Sequence, residues 1–165
     1  MQRSFDVLFI QEPPWSVIWS IPSSINKEDK ELVGVPNYPN WTIFLRNFFL
    51  VNNLPRIIIY INVRLSSFLF SLWKDIFNYR DISCVFFFNC SLPYFLINIY
   101  SDSSQMALKY LKNTKVNIGN VLIMTGDFNI RNNSWDLLFL YYSVYKDILI
   151  EVADSLHLEL SRYTE

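Results

Sequence analysis

At 165 residues the chain has the length of one domain and is too short for two ordinary ones. Hydrophobic residues make up 52% and charged residues 18%, which excludes intrinsic disorder, and three glycines without a period exclude collagen, solenoid and low-complexity architectures. A net charge of −1 provides no global positive field, so a polyanionic partner needs a local patch.

Residues 6–10 carry the run Val-Leu-Phe-Ile and lead into Gln11-Glu12-Pro13-Pro14. A short apolar run closed by proline reads as a buried strand whose pairing the prolines stop. The first residues hold one arginine and no long apolar stretch, so no secretory signal is expected. Residues 15–42 read as a long loop, because Pro22, Pro36, Pro39 and Gly34 punctuate them. The charged stretch at 27–31 reads as a solvated face. Strands are expected at 56–65, around Ile57-Ile58-Ile59-Tyr60-Ile61, and at 68–73.

Residues 82–101 contain no charged side chain and are long enough to cross a bilayer as a helix. Asn89, Ser91, Pro93 and Asn98 interrupt them, however, and Asn-Cys-Ser-Leu-Pro in the middle has the composition of a turn. The β-branched and aromatic residues on either side favour two buried strands, 82–88 and 94–100, over a membrane helix. Ser103 and Ser104 are candidate caps for a helix that buries Ala107, Leu108 and Leu111. Lys109, Lys112 and Lys115 lie towards its C-terminal end, where cations suit the helix dipole. Another strand is expected at 121–125, closed by Gly126-Asp127-Phe128-Asn129, and Val144, Ile148, Val152 and Leu156 mark a final amphipathic helix.

Successive strands without helices between them predict antiparallel pairs, and strand–helix–strand over 94–125 predicts one parallel crossover. The class is α/β, with sheets covered by helices. Cys84 and Cys90 make neither a disulfide framework nor a zinc set and read as reduced thiols of an intracellular protein.

Two carboxylates stand at the ends of expected strands, Glu12 and Asp127, with Asn129 two residues beyond the second. A strand-end carboxylate is held by the sheet yet reaches solvent. Mg²⁺ takes one or two such groups together with water and phosphate oxygens. Phosphoryl chemistry needs that charge, an oriented water and donors to the equatorial oxygens. Each residue also has an ordinary reading. Glu12 can be a solvated acid before a proline turn, Asp127 and Asn129 a turn bonded to local backbone, and Tyr100 a core aromatic with a satisfied hydroxyl.

Gln11-Glu12-Pro13, the strand Ile97-Asn98-Ile99-Tyr100, and Gly126-Asp127-Phe128-Asn129 followed by Trp135-Asp136 occur in this order. In these motifs the chain resembles the endonuclease/exonuclease/phosphatase family, most of all the endonuclease domain of non-LTR (LINE-like) retrotransposons. The resemblance runs from residue 6 to about residue 160. It implies a partial four-layer α/β sandwich, with two mixed, largely antiparallel sheets flanked by helices, in which residues 1–165 form a single incomplete domain. It further implies metal-dependent phosphodiester hydrolysis, the nicking of a target-site DNA duplex, with Mg²⁺ as cofactor and Mn²⁺ as a substitute. Glu12 matches the metal-binding glutamate and Tyr100 the strand-end tyrosine that holds the scissile phosphate. Asp127 matches the aspartate that orients or deprotonates water, and Asn129 the asparagine that steadies phosphate and aspartate. Trp135 is expected to pack beneath the site and Arg131 to meet a DNA phosphate.

The chain also departs from that pattern. It opens at the Gln-Glu strand rather than at a preceding strand with a metal-site asparagine, and no Ser-Asp-His segment closes it. The single histidine, His157, falls in the last helical pattern and reads as structural or solvated. Weak or absent activity, open sheet edges and poor solubility are the expectations that follow. Nuclear localisation is implied for an active parent element. Another phosphoesterase of the same fold would use the same residues, and a non-catalytic interaction or membrane-associated protein is the reading from a different class.

Overall fold

The computed structural model describes residues 5–21, 30–45, 54–73, 79–89, 92–114, 118, 120–130 and 144–159. In chain order these form β1 (Val7–Gln11), β2 (Ser16–Ile21), β3 (Lys30–Gly34), β4 (Trp41–Phe44), β5 (Ile57–Asn62), β6 (Ser71–Leu72), β7 (Ile82–Asn89), β8 (Leu92–Tyr100), α1 (Met106–Thr114), β9 (Val121–Asp127) and α2 (Val144–Ser155). One sheet has the order β1-β5-β4, a second β6-β7-β8-β9, and β2 pairs with β3 alone.

β5 is the centre of the three-stranded sheet, antiparallel to β1 through Gln11↔Ile57 and to β4 through Trp41↔Asn62. Its run of isoleucines is buried on both faces, which is why it reads as continuous rather than alternating. Ile59 and Ile61 pack against Val85 and Leu96 of the four-stranded sheet, while Ile58 and Tyr60 pack under Val35, Trp15 and Trp41. Burial of each such side chain contributes about 2 kcal/mol.

The other face of the four-stranded sheet carries the helices. Ile82, Cys84, Ile97 and Ile99 meet Ala107 and Leu111 of α1, and Val152 and Leu156 from α2 and its last turn. The layers are therefore helices, mixed sheet and antiparallel sheet, with the outer side of the last covered by the segments around Trp15 and Val35. This is the expected α/β class in the form of a partial sandwich with open sheets.

The hairpin expected within 82–101 is present: β7 and β8 pair antiparallel from Ile82↔Ile99 to Asn89↔Leu92. No helix among the described residues is long and apolar enough to cross a membrane. β8 and β9 run parallel, with α1 as the crossover between them. Gly126 makes that pairing physically possible. A Cβ there would lie 1.9 Å from the Ile99 carbonyl oxygen, so only glycine admits the neighbouring backbone.

Three expectations are corrected. Residues 15–42 are not one loop, since β2, β3 and the start of β4 lie within them. Ser16-Val17-Ile18-Trp19-Ser20-Ile21 is β-branched and aromatic, the prolines at 36 and 39 fall between strands rather than inside them, and Pro22 lies outside the described residues. Lys30 and Glu31 of the charged stretch belong to β3, and 27–29 lie outside the described residues. The strands expected at 56–65 and 68–73 are shorter, because Asn62 caps a 3-10 turn, Val63–Leu65, accepting a bond from the Arg64 amide. Ser103 and Ser104 do not cap α1 directly. Asp102 accepts from the Ser104 amide and hydroxyl, and the Gln105 carbonyl takes the first helical bond, from the Lys109 amide.

Ala107, Leu108 and Leu111 are buried as their spacing predicts, and so are Val152 and Leu156. Lys115 and Cys90 lie outside the described residues. Cys84 is a buried free thiol, and burial pushes its pKa up to about 12.

Candidate active site

The strand directions bring five polar strand ends to one rim. β1 and β8 end there, β5 and β7 begin there through their antiparallel registers, and β9 ends beside β8. Glu12 directly follows β1, and β1 lies in contact with both β8 and β9. Tyr100 and Asp127 are register partners across the parallel β8–β9 pair. Paired residues of adjacent strands stand about 5 Å apart and project to the same side.

The Tyr100 phenol has the Glu12 carboxylate as an electrostatic neighbour. Its pKa is raised, first by the hydrogen-bonding pull of Glu12, then by burial and by the Glu12 charge, with a smaller upward push from Asp127 and an opposing one from Arg56. The two acids that stand 115 positions apart in the chain thus share one phenol as neighbour. Both carboxylates are exposed, and Tyr100 is half-buried rather than a core aromatic.

Local backbone fixes each group. Glu12 has a φ of 46°, a left-handed conformation that costs a non-glycine residue roughly 1–2 kcal/mol. Its amide donates to the Arg56 carbonyl at 2.6 Å, which ties it to the start of β5. Asn129 also has positive φ, 47°, which asparagine tolerates well. Its amide donates to Asp127 Oδ1 at 3.0 Å, and its Nδ2 donates to the Ser101 carbonyl at 3.1 Å. The ordinary turn reading of Gly-Asp-Phe-Asn is therefore present in the same atoms that hold Asp127 at the rim. The Asn129 amide group is engaged with backbone, so it binds β9 to the β8–α1 connection.

Beneath the rim, Asn98 links the two sheets. This fully buried side chain donates to the carbonyls of Ile10, at 3.2 Å, and Ile58, at 2.9 Å, and accepts from Gln11 Nε2 at 2.8 Å. It holds the end of β1, and so Glu12, in register with the end of β8. Ser101 and Gln105, both buried, continue the network. The Ser101 hydroxyl donates to Gln105 Oε1, and Gln105 Nε2 donates to the Phe128 carbonyl, each at 2.8 Å.

Charges that sequence reasoning passed over complete the rim. Arg56 donates from Nε to Asp81 Oδ1 at 2.9 Å, and from Nη2 to Asp81 Oδ2 at 2.5 Å and to Asp102 Oδ2 at 3.2 Å. Its guanidinium lies 4.2 Å from the centre of the Tyr100 ring. The Asp81 bond holds Arg56 protonated, well above the ordinary guanidinium range. Asp102 is held below the usual carboxylate range, first by its bond from Ser104 and then by Arg56. The available signal was position, since Arg56, Asp81 and Asp102 each flank a buried strand at the end where Glu12 and Tyr100 sit.

For a divalent ion the fit is that of a hydrated site. Mg²⁺ commonly uses one or two carboxylates and keeps several waters, and Glu12 and Asp127 are both solvent-facing acids on this rim. Among the described residues no group of three or more His, Cys, Asp and Glu side chains is placed to hold a metal. His157 is exposed, has a φ of 56° and closes the turn after α2, its amide donating to the Asp154 carbonyl. Arg131, Trp135 and Asp136 lie outside the described residues. Comparison with protein-family models, curated proteins and solved structures finds no match for this chain.

Proposed function

We propose that the rim is a divalent-metal phosphodiesterase site of the endonuclease/exonuclease/phosphatase type, descended from a retrotransposon endonuclease that nicks target-site DNA, and that its turnover is weak. The observation that carries this reading is the convergence of strand ends: Glu12 follows β1, which contacts both β8 and β9, and Tyr100 and Asp127 are register partners at the ends of those two strands. Glu12 would hold Mg²⁺ or Mn²⁺, with Asp127 as the second acid. The bound ion would supply positive charge against the phosphate. The Tyr100 hydroxyl would donate to the phosphate, and such a donor to a charged transition state is worth on the order of 100–1,000-fold in rate. Asp127, oriented by the Asn129 amide, accepts a proton from water. Among the described residues no third ionisable ligand joins this pair, so the ion would keep most of its waters and weak turnover is expected.

Trp15 stands three residues from Glu12, its Nε1 donating to the Pro55 carbonyl beside Arg56, and serves as a reporter. Mg²⁺ titration is expected to change tryptophan fluorescence in the wild type and not in Glu12→Gln. Slow nicking of supercoiled plasmid with Mg²⁺ is expected to vanish in Asp127→Ala. Nicking that survives Asp127→Ala contradicts the reading.

A second reading, a non-catalytic binding module, draws on the opposite end of the molecule. Leu69, Phe88 and Leu92 are exposed there, and a cavity of about 500 Å³ is lined by Trp73, Phe86, Phe88 and Phe95. Absence of any fluorescence response to Mg²⁺ favours it.

A further inference from the structure

We infer that Arg56, fixed by Asp81 and Asp102, is a positioning residue that holds the Tyr100 ring in place beside Glu12. The inference rests on the reading of this rim as a phosphodiesterase site and adds to it a residue that touches neither ion nor substrate.

A closed circuit of contacts supports it. The Asp81 carbonyl accepts from the Tyr100 amide at 2.9 Å, which fixes the tyrosine backbone. The Asp81 carboxylate, itself 1% exposed, grips Arg56 through two parallel bonds. Such a fork fixes the plane of the guanidinium as well as its position. That plane lies against the Tyr100 ring. The Arg56 carbonyl then holds the Glu12 amide, and the Glu12 carboxylate is the neighbour that pushes the Tyr100 pKa up. One arginine therefore touches the tyrosine by its side chain and the glutamate by its backbone.

The chemistry of Arg56 argues against a direct phosphate role. Three of its donor contacts go to carboxylates, and its side chain is only 25% exposed. Its positive charge is matched by the acids beneath it, so the contact it leaves for the rim is the ring face. Tyr100 is only half-buried and would sample several rotamers without such a platform.

The test needs neither metal nor substrate, so it can succeed or fail apart from the proposed activity. The chain is labelled with tyrosine ¹³C at Cζ, and the Tyr100 resonance is assigned by its loss in Tyr100→Phe. At one neutral pH, Glu12→Gln is expected to move this resonance in the wild-type background, because the phenol loses its carboxylate partner. In the Arg56→Met background the same substitution is expected to move it by only a small part of that amount. Arg56→Lys keeps the cation and loses the fork, and is expected to behave like Arg56→Met. Because Arg56→Met leaves the buried Asp81 carboxylate with Arg80, at 3.3 Å, as its remaining ion partner, the double change Arg56→Met with Asp81→Asn provides the same comparison in a fold without that under-compensated acid. An equal movement in the presence and absence of Arg56, full recovery by lysine, or no movement in the wild type overturns the inference.

Discussion

At its first residues β8 lies among rings. Trp73 sits 4.6 Å from Phe95 and 5.7 Å from Phe86, and Phe87 stacks on Tyr94 at 5.8 Å. At its last residues the same strand carries Asn98 and Tyr100, with Ser101 next in the chain, each joined to named atoms of other elements. The aromatic end is held by area and loose ring geometry, which many apolar side chains satisfy. The rim is held by directional bonds, for which a change of one atom leaves a partner stranded. The two ends should therefore respond differently to substitution.

The sharpest way to break the contrast is Gly126→Ala. With a Cβ 1.9 Å from the Ile99 carbonyl oxygen, the β8–β9 pair must separate, at a cost of about 3 kcal/mol or more. A urea unfolding midpoint close to wild type would show that the rim is less tightly built than described. Next comes Asn98→Leu, which is close in volume yet leaves the Ile10 and Ile58 carbonyls and the Gln11 amide without their partner. About 2 kcal/mol of destabilisation is expected by denaturant titration. Phe86→Leu at the aromatic end should cost only about 1 kcal/mol, because neighbouring rings can relax around it. If Phe86→Leu were the more damaging of these two, the comparison would be inverted.

Between the two ends, Cys84 gives the pH dependence its sign. Burial raises its pKa to about 12, so folding favours the protonated thiol. That stability is fully present below the ordinary thiol value near 9 and is lost as pH rises through 12. Unfolding midpoints measured from pH 8 to pH 11 should fall, and Cys84→Ala should flatten the slope. The smallest structural effect is expected at Asp127→Asn. The side chain is exposed, so the unfolding midpoint should shift by no more than about 0.5 kcal/mol while Mg²⁺-dependent nicking is lost.

Much of this arrangement was legible in the residues. Apolar runs bounded by proline or turn composition marked β1, β5, β7, β8 and β9; the run follows continuous burial in β5 and in the core stretches of β7 and β8, whereas β1 is only half-buried and Leu122 and Ile123 of β9 are exposed. The helix faces were legible through Ala107, Leu108 and Leu111, and through Val152 and Leu156. β2 and β3 were not, since proline punctuation was taken as a property of the whole stretch rather than of its junctions. Glu12, Tyr100, Asp127 and Asn129 were singled out by motif. Arg56, Asp81 and Asp102 carry no motif, and what joins them is a register between strands distant in the chain. Asn98 was legible as part of a strand but not as the link between two sheets, because its partners are backbone carbonyls that no sequence pattern names.

The central claim is that Glu12 and Asp127 serve one divalent ion. Manganese(II), added in small amounts to the isotope-labelled chain, tests it by paramagnetic broadening. The account predicts that resonances of Glu12, Tyr100 and Asp127 broaden together and that Glu12→Gln abolishes the broadening at all three. Broadening at one acid without the other, or broadening that survives Glu12→Gln, would contradict it.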